Sequence, residues 1–360
     1  MRAIYLNVLL FVFTGISVSC NAQQVVKSND RNILYTGRVA VSDTAAMLSW
    51  SGTSVKLNFN GTIVKALIGD EYGENYYNII VDGNILSVLH LAKGKNEYTL
   101  LSGLKPGKHS LELFKRTEWA MGRTMLYSFT FDHDKALLAP PIAKKRKIEY
   151  FGDSITCGYA VEDSTGQDRG TAPYENGYIS YAAITARHFN ADFHSTSKSG
   201  IGITISWFPL VMPEMYDRLD PFDATSKWDF TKYIPDVVVI NLFQNDSWLV
   251  KQPEFAEFKA RFGTTPPTAE FVIDTYADLV KKIRVKYPKA QIICALGNMD
   301  ATSPGSVWPG YIEKAVTKVN DTQVHTLIFP AKKTPGHPNP AEQQAMADDL
   351  IKFIDKTVKW

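Results

Sequence analysis

The chain has 360 residues, 45% hydrophobic and 21% charged, a length at which two domains are expected of an ordinary globular protein. Its 39 basic and 37 acidic residues leave a formal net charge of +2. The basic residues are scattered rather than striped, which excludes a nucleic-acid footprint, and no low-complexity tract or repeat points to a fibrous or solenoid protein.

At the N-terminus, Arg2 precedes an apolar run from Leu6 to Val18, and the small residues of SVSCNAQQ follow. That is the layout of a secretory signal over residues 1–22, too short for a stable membrane span. Lipid attachment at Cys20 and cleavage after Ala22 both fit. Ser17 is a poor match at the start of a lipoprotein box, which favours cleavage. Either way the protein is expected to be exported, to the periplasm, the outer membrane or the medium. Cys157 and Cys294 are then the remaining thiols, open to one disulfide or to a role as small buried hydrophobes.

Residues 25–135 read as short strands broken by turns. VKLNFNGTIVKALIG alternates apolar and polar residues around Asn60-Gly61, and YYNIIVDGNILSVLHL carries Asp82-Gly83 between two apolar runs, a hairpin signal. GLKPGKHSLELFKRTE adds a Pro-Gly turn and a further strand. With no amphipathic helix between them, these imply an antiparallel β-sandwich of jelly-roll type. Arg116 and Glu118, in KRTE, read as an exposed pair bridging two domains and contributing about 0–1 kcal/mol.

Residues 136–147 form a proline-bearing linker, and from 148 to 360 the period changes. Candidate strands end near Phe151, Ser195, Leu242, Ala295 and Phe329, with helical patterns between them at Ile179–Asn190, Ala269–Tyr287, Gly310–Asn320 and Ala341–Lys356. Strands alternating with helices predict an α/β unit with a parallel sheet covered on both faces, whose ligands bind beyond the carboxyl ends of the strands.

Ser154, in KIEYFGDSITCGYA, stands just beyond the first of those ends. A serine hydroxyl needs a neighbouring base to become a nucleophile. His337, in TPGHPNPAEQQ, follows the last strand and precedes the last helix, where Asn339, Pro340 and Glu342 read as cap, first turn and capping-box partner. That puts His337 on the same edge of the sheet as Ser154. His188 and His194 fall inside a helix and a strand, where structural roles suit them better. The loop SKSGIGI offers the Gly200 N–H, and NLFQNDSW offers the Asn245 amide, as donors to a developing oxyanion. A serine, a glycine, an asparagine and a histidine thus occur in order, each just after a predicted parallel strand.

GDSI with Ser154, then Gly200, Asn245 and His337, resembles the four blocks of the SGNH (GDSL-type) hydrolases. YYNIIVDG and HSLELFKRTE ahead of IEYFGDSITCGY resemble the arrangement of carbohydrate esterase family 2, whose members remove acetyl groups from plant polysaccharides, often from a primary hydroxyl. The resemblance covers essentially the whole mature chain. It implies an α/β/α sandwich with Ser154 as nucleophile, His337 as general acid and base, and an oxyanion hole of the Ser154 and Gly200 N–H groups with the Asn245 amide. Asp153 would hold the turn. No metal or other cofactor is implied, and Asp217, Asp220 and Asp246 show no metal-ligand spacing.

Two positions depart from the family pattern. Thr334 and Pro335 stand where an aspartate usually precedes the histidine, which predicts a Ser–His dyad with a backbone carbonyl, that of Pro335, holding the imidazole. Phe243 replaces the glycine of the third block and is expected at the pocket, narrowing it or covering the acyl group. Trp207, Trp248 and Trp308 are candidates for sugar stacking or for buried packing. The expected activity is removal of O-acetyl groups from carbohydrate by an exported serine esterase. The alternatives are a lipid or aryl esterase of the same fold, and a carbohydrate-binding protein whose catalysis has decayed.

Overall fold

The computed structural model describes residues 22–360. The expected signal, apart from Ala22, and the Cys20 lipidation site lie outside the described residues. Among the described residues no helix is long and apolar enough to cross a membrane.

Among these residues, the N-terminal unit consists of β1 (Gln24–Lys27), β2 (Leu34–Thr36), β3 (Val39–Val41), β4 (Ala46–Leu48), β5 (Ser54–Asn60), β6 (Val64–Asp70), β7 (Tyr76–Val81), β8 (Asn84–His90), β9 (Gly94–Leu101), β10 (Lys108–Lys115) and β11 (Thr124–Phe131). One sheet runs β3-β4-β11-β6-β9 with β1 also on β11, and the other runs β2-β5-β10-β7-β8. The period-two pattern decides what lies between them: Leu57 and Phe59, Ala66 and Ile68, Leu111 and Leu113, and Phe129 and Phe131 point into one buried core. The chain changes sheet at every connection from β1 to β11 except β3–β4 and β7–β8. Within a sheet, β7 and β8 form the hairpin expected at Asp82-Gly83. Both turn residues have positive φ, +50° and +81°, as a two-residue type I′ turn requires. The first part of the linker docks on the sandwich, with Ala136 O accepting from Asn60 N and Leu138 N donating to Asn58 O.

The second unit holds β12 (Arg146–Gly152), β13 (Ala191–Ser197), β14 (Val237–Asn241), β15 (Gln291–Leu296) and β16 (Val324–Ile328), all parallel, in the order β13-β12-β14-β15-β16. Alternate strand residues feed opposite faces. Val238, Ile240, Ile292 and Cys294 pack under helices Ala269–Lys286 and Trp308–Val319, while Val237, Val239, Ile293 and Ala295 pack under Tyr181–His188 and Pro340–Thr357. This is why the strands read as apolar runs rather than alternations. Cys157 and Cys294 are both buried and unbridged. The strand order reverses beside β12, so the crevice that such sheets use for ligands opens where Ser154 stands.

The two units are locked together by buried polar contacts. Trp50 of the sandwich donates its indole N–H to Leu219 O at 2.8 Å. Arg38 enters the second unit, donating to Tyr216 O at 2.7 Å and Arg218 O at 2.8 Å and pairing with the fully buried Glu149 at 2.9 Å. Tyr287 Oη–H donates to the other Glu149 oxygen. Removing one partner of such a pair leaves an uncompensated charge in the core. Arg38→Met should therefore destabilise the protein by about 3–5 kcal/mol in urea unfolding. Adding Glu149→Gln should recover much of that loss.

Candidate active site

Ser154 is presented by a strand-to-helix turn that the local sequence dictates. β12 ends at Gly152, where a Cβ would lie 2.1 Å from Thr156 Oγ1, so only glycine allows the chain to turn this sharply. Asp153 caps the one-turn helix Ser154–Cys157, accepting the Ile155 N–H at 3.1 Å, which is the turn-holding role expected of it. Gly158 closes that helix in the left-handed region at φ +77°, with no room for a Cβ beside Asn176 O. Ser154 is 6% exposed, at the floor of a cleft of about 600 Å³.

His337 and Ser154 meet as the strand-end argument requires, with His337 Nε2 2.8 Å from Ser154 Oγ. The other ring nitrogen does not face a backbone carbonyl. His337 Nδ1 lies 2.9 Å from both carboxylate oxygens of Asp168, and the His337 backbone N–H donates to Asp168 Oδ1 at 2.8 Å. A carboxylate can only accept, so Nδ1 carries the proton and Nε2 is free to accept from the serine hydroxyl. The expected dyad is corrected in its third member. The Pro335 carbonyl is taken by Lys332, whose Nζ donates to Thr334 O at 2.6 Å and to Pro335 O at 3.2 Å. Burial works upward on the Asp168 carboxyl, but hydrogen bonds from the His337 ring and amide and the charges of His337 and Lys332 outweigh it, holding the group below its ordinary 3.8.

Asp168 reaches the imidazole from the coil between β12 and β13, in the left-handed region at φ +58°. Asp163 ties that coil closed, accepting from the Arg169 amide at 2.9 Å and from its guanidinium at 2.7 and 3.1 Å. Gly336, immediately before the histidine, makes room for the carboxylate: a Cβ there would lie 2.8 Å from Asp168 Cγ. Tyr159 packs its ring on the imidazole, with centroids 4.5 Å apart.

On the other side of Ser154, three donors surround the hydroxyl's end of the cleft. Gly200 stands at the third position of the turn Lys198–Ile201, closed by Ile201 N donating to Lys198 O at 3.2 Å, and its φ of +81° is what a type II turn demands there. Neither the Gly200 nor the Ser154 N–H has an acceptor among the described residues. The Asn245 amide is oriented from both ends, its oxygen accepting the Trp207 indole N–H at 3.0 Å and its nitrogen donating to Ile201 O at 2.8 Å. One amide hydrogen remains for the cleft. A hydroxyl, a base, a carboxylate to orient the base, and three fixed donors are together what acyl transfer needs.

Comparison with known proteins agrees with both halves. Residues 35–141 match the carbohydrate esterase 2 N-terminal family model, and residues 150–345 match the GDSL-like lipase/acylhydrolase family model. A solved family two carbohydrate esterase from Clostridium thermocellum, in complex with cellohexaose, superposes with a TM-score of 0.80 at 36% identity, over 90% of this chain and 98% of that one. The chain belongs to carbohydrate esterase family 2. Cellulase/esterase CelE of Acetivibrio thermocellus is 36% identical over 94% of this chain, which spans 41% of that longer protein. An acetylxylan esterase/glucomannan deacetylase of Cellvibrio japonicus is 23% identical, with 98% of both chains covered.

Within this esterase-family site, the remaining predicted residues divide. Trp248 lines the cleft, its indole donating to Asp300 at 3.0 Å, and Trp207 lines it too, 46% exposed. Phe243 does not touch the cleft, contrary to expectation. It is fully buried, packed against Tyr276 and Trp308 at centroid distances of 4.7 and 5.0 Å, and its backbone holds the strained φ of +89° that a glycine would adopt freely. That turn throws the ring into the core, and Trp308 is buried with it rather than offered to a sugar. The aspartates without metal-ligand spacing have structural partners: Asp217 pairs with Lys227, Asp220 with Arg123, and Asp246 accepts the Ile203, Thr204 and Ile205 amides. His194 stacks on Tyr233 at 3.4 Å in the interior. Asn245→Ala should lower kcat on an acetyl ester roughly a hundred- to thousandfold with KM little changed, read by steady-state kinetics.

Proposed function

We propose that this chain is a serine esterase that removes O-acetyl groups from carbohydrate through a Ser154–His337–Asp168 triad. One observation carries the reading: the hydrogen-bonded chain from Ser154 Oγ through the imidazole to Asp168, opening on a cleft beside three unspent donors. Ser154 Oγ attacks the acetyl carbonyl as His337 Nε2 takes its proton, and Asp168 stabilises the imidazolium. The Ser154 and Gly200 N–H groups and the Asn245 amide receive the oxyanion. Its collapse expels the sugar hydroxyl, protonated by His337, and leaves an acetyl-enzyme. Water, deprotonated by the same imidazole, then releases acetate.

The indoles of Trp207 and Trp248 on the cleft wall suit a sugar ring, whose C–H face packs on an aromatic surface. The relatives named for acetylxylan and glucomannan support that substrate class. A catalytically decayed binding protein is disfavoured, because Phe243 lies in the core rather than in the pocket and Asp168 supplies the carboxylate that Thr334 and Pro335 do not. Export fits a polysaccharide substrate, and the N-terminal run with Cys20 and Ala22 is the element that would direct it. The test is acetate release from acetylated xylan and acetylated glucomannan, beside p-nitrophenyl esters of increasing chain length. Release from the polysaccharides, with acetate the best of the synthetic esters, is expected. Activity that rises with acyl length and is absent on the polysaccharides would instead identify a lipid or aryl esterase.

A further inference from the structure

The segment KRTE, where β10 leaves the sandwich, was expected to expose a weak pair. Instead all four residues are buried: Lys115 and Thr117 fully, Glu118 at 2% exposure and Arg116 at 6%. Each is engaged: Lys115 Nζ donates to the Thr117 and Glu118 carbonyls and Thr117 Oγ1 to Asn75, while Arg116 and Glu118 reach loops of the other domain. Arg116 pairs with Glu162, at the start of the coil that carries Asp168, and its carbonyl accepts the Gly177 N–H at 2.8 Å. Glu118 reaches the opposite side of the cleft, where its Oε2 accepts the Ser199 N–H at 2.8 Å.

That contact falls on the turn that presents the Gly200 N–H. In a four-residue turn closed by its first carbonyl and last amide, the N–H of the second residue is left without a partner, and here that residue is Ser199. Glu118 supplies the missing acceptor. The turn is then fixed at three points: Ser199 N to Glu118, Ile201 N to Lys198 O, and Gly200 O to Trp207 N at 3.1 Å. Glu118 itself is rigid, for its N–H donates to Glu175 Oε2 at 3.0 Å and its carbonyl accepts from Lys115 Nζ at 3.1 Å. Among the described residues its carboxylate accepts, besides the Ser199 amide, only from the Cys157 thiol, at 3.8 Å, and burying it so completely for these two contacts far from the chemistry would be costly. Beside an oxyanion donor it has a use.

We infer that Glu118, a residue of the β-sandwich, is a positioning residue for acyl transfer, holding the Lys198–Ile201 turn so that the Gly200 N–H meets the oxyanion. The sandwich is thereby part of the catalytic apparatus. The inference rests on the serine-esterase reading, and the test separates the two. Kinetics on p-nitrophenyl acetate are measured for wild type, Ser154→Ala, Glu118→Ala and Glu118→Gln, with thermal melting of each. Ser154→Ala must abolish turnover; if it does not, the esterase reading itself fails. Given that control, Glu118→Ala should lower kcat about a hundredfold with KM nearly unchanged, since a misplaced group costs that much. Glu118→Gln keeps an oxygen acceptor for Ser199 and should restore most of the rate. A merely structural role would lower the melting temperature without splitting kcat from KM. Should Glu118→Ala fail to fold, Ser199→Pro removes the donor instead, at a turn position that tolerates proline, and should lower kcat alike. An unchanged kcat in a folded Glu118→Ala or Ser199→Pro protein, or a Gln variant as slow as the Ala variant, overturns the inference.

Discussion

Asparagine at position 168 should lower kcat for acetyl-ester hydrolysis roughly a thousand- to ten-thousandfold while leaving the fold and KM nearly intact. The carboxylate can only accept a hydrogen bond, so it holds the proton on His337 Nδ1 and leaves Nε2 for Ser154. An asparagine that turns its NH₂ group to the ring reverses this, placing the proton on Nε2 where the serine needs an acceptor. It also removes the negative charge that stabilises the imidazolium. The Asp168 side chain is one-third exposed, so water partly replaces that charge and the lower end of the range applies. Because Asp168 is held below its ordinary 3.8, its carboxylate is ionised throughout the neutral range. Titration of Asp168 therefore adds no pH dependence to the wild-type rate in that range. A dyad supported by the Pro335 carbonyl would instead show almost no effect of the substitution. Steady-state kinetics across neutral pH, with circular dichroism for the fold, distinguishes the two.

Ser154→Ala should have the larger effect, up to about a millionfold in kcat, because it removes the atom that forms the acyl-enzyme. The N-cap bond from Ile155 to Asp153 and the glycines on either side do not involve the serine hydroxyl, so the variant should melt at the wild-type temperature. What activity survives would come from the oxyanion donors and the bound geometry alone. Near-wild-type release of acetate by this variant would contradict the mechanism.

Much of this architecture was legible in the chain because it rests on periodicity and turn chemistry. The switch from alternating strands to strand-and-helix units near residue 140 marks the change from sandwich to parallel sheet, and Asp82-Gly83 sits at a two-residue hairpin. Ser154, Gly200, Asn245 and His337 could be aligned because each follows a strand end, and parallel topology brings such ends to one edge. Asp168 follows no strand. It lies 169 residues before its partner, in coil, and its reach depends on a left-handed backbone and on Gly336 standing aside. The signals that could have marked it were the Asp- and Gly-rich run EDSTGQDRG and the glycine just before His337. Phe243 misled because its place at a block glycine says where the backbone runs, not where a side chain in the left-handed region points, and here the ring turns into the core. KRTE misled because charge reads as exposure, whereas here four polar side chains are buried, Lys115 and Thr117 against the sandwich and Arg116 and Glu118 against the other domain.

The most direct measurement is covalent labelling of the nucleophile. The wild-type enzyme is incubated with a small alkyl phosphonate ester, a mimic of the tetrahedral intermediate, and the labelled peptide is mapped by mass spectrometry as activity decays. The account predicts that one phosphonyl group appears on Ser154 in step with the loss of acetylesterase activity, and that Ser154→Ala takes up none. Inactivation with the label on another residue, or full activity in protein labelled at Ser154, would contradict it.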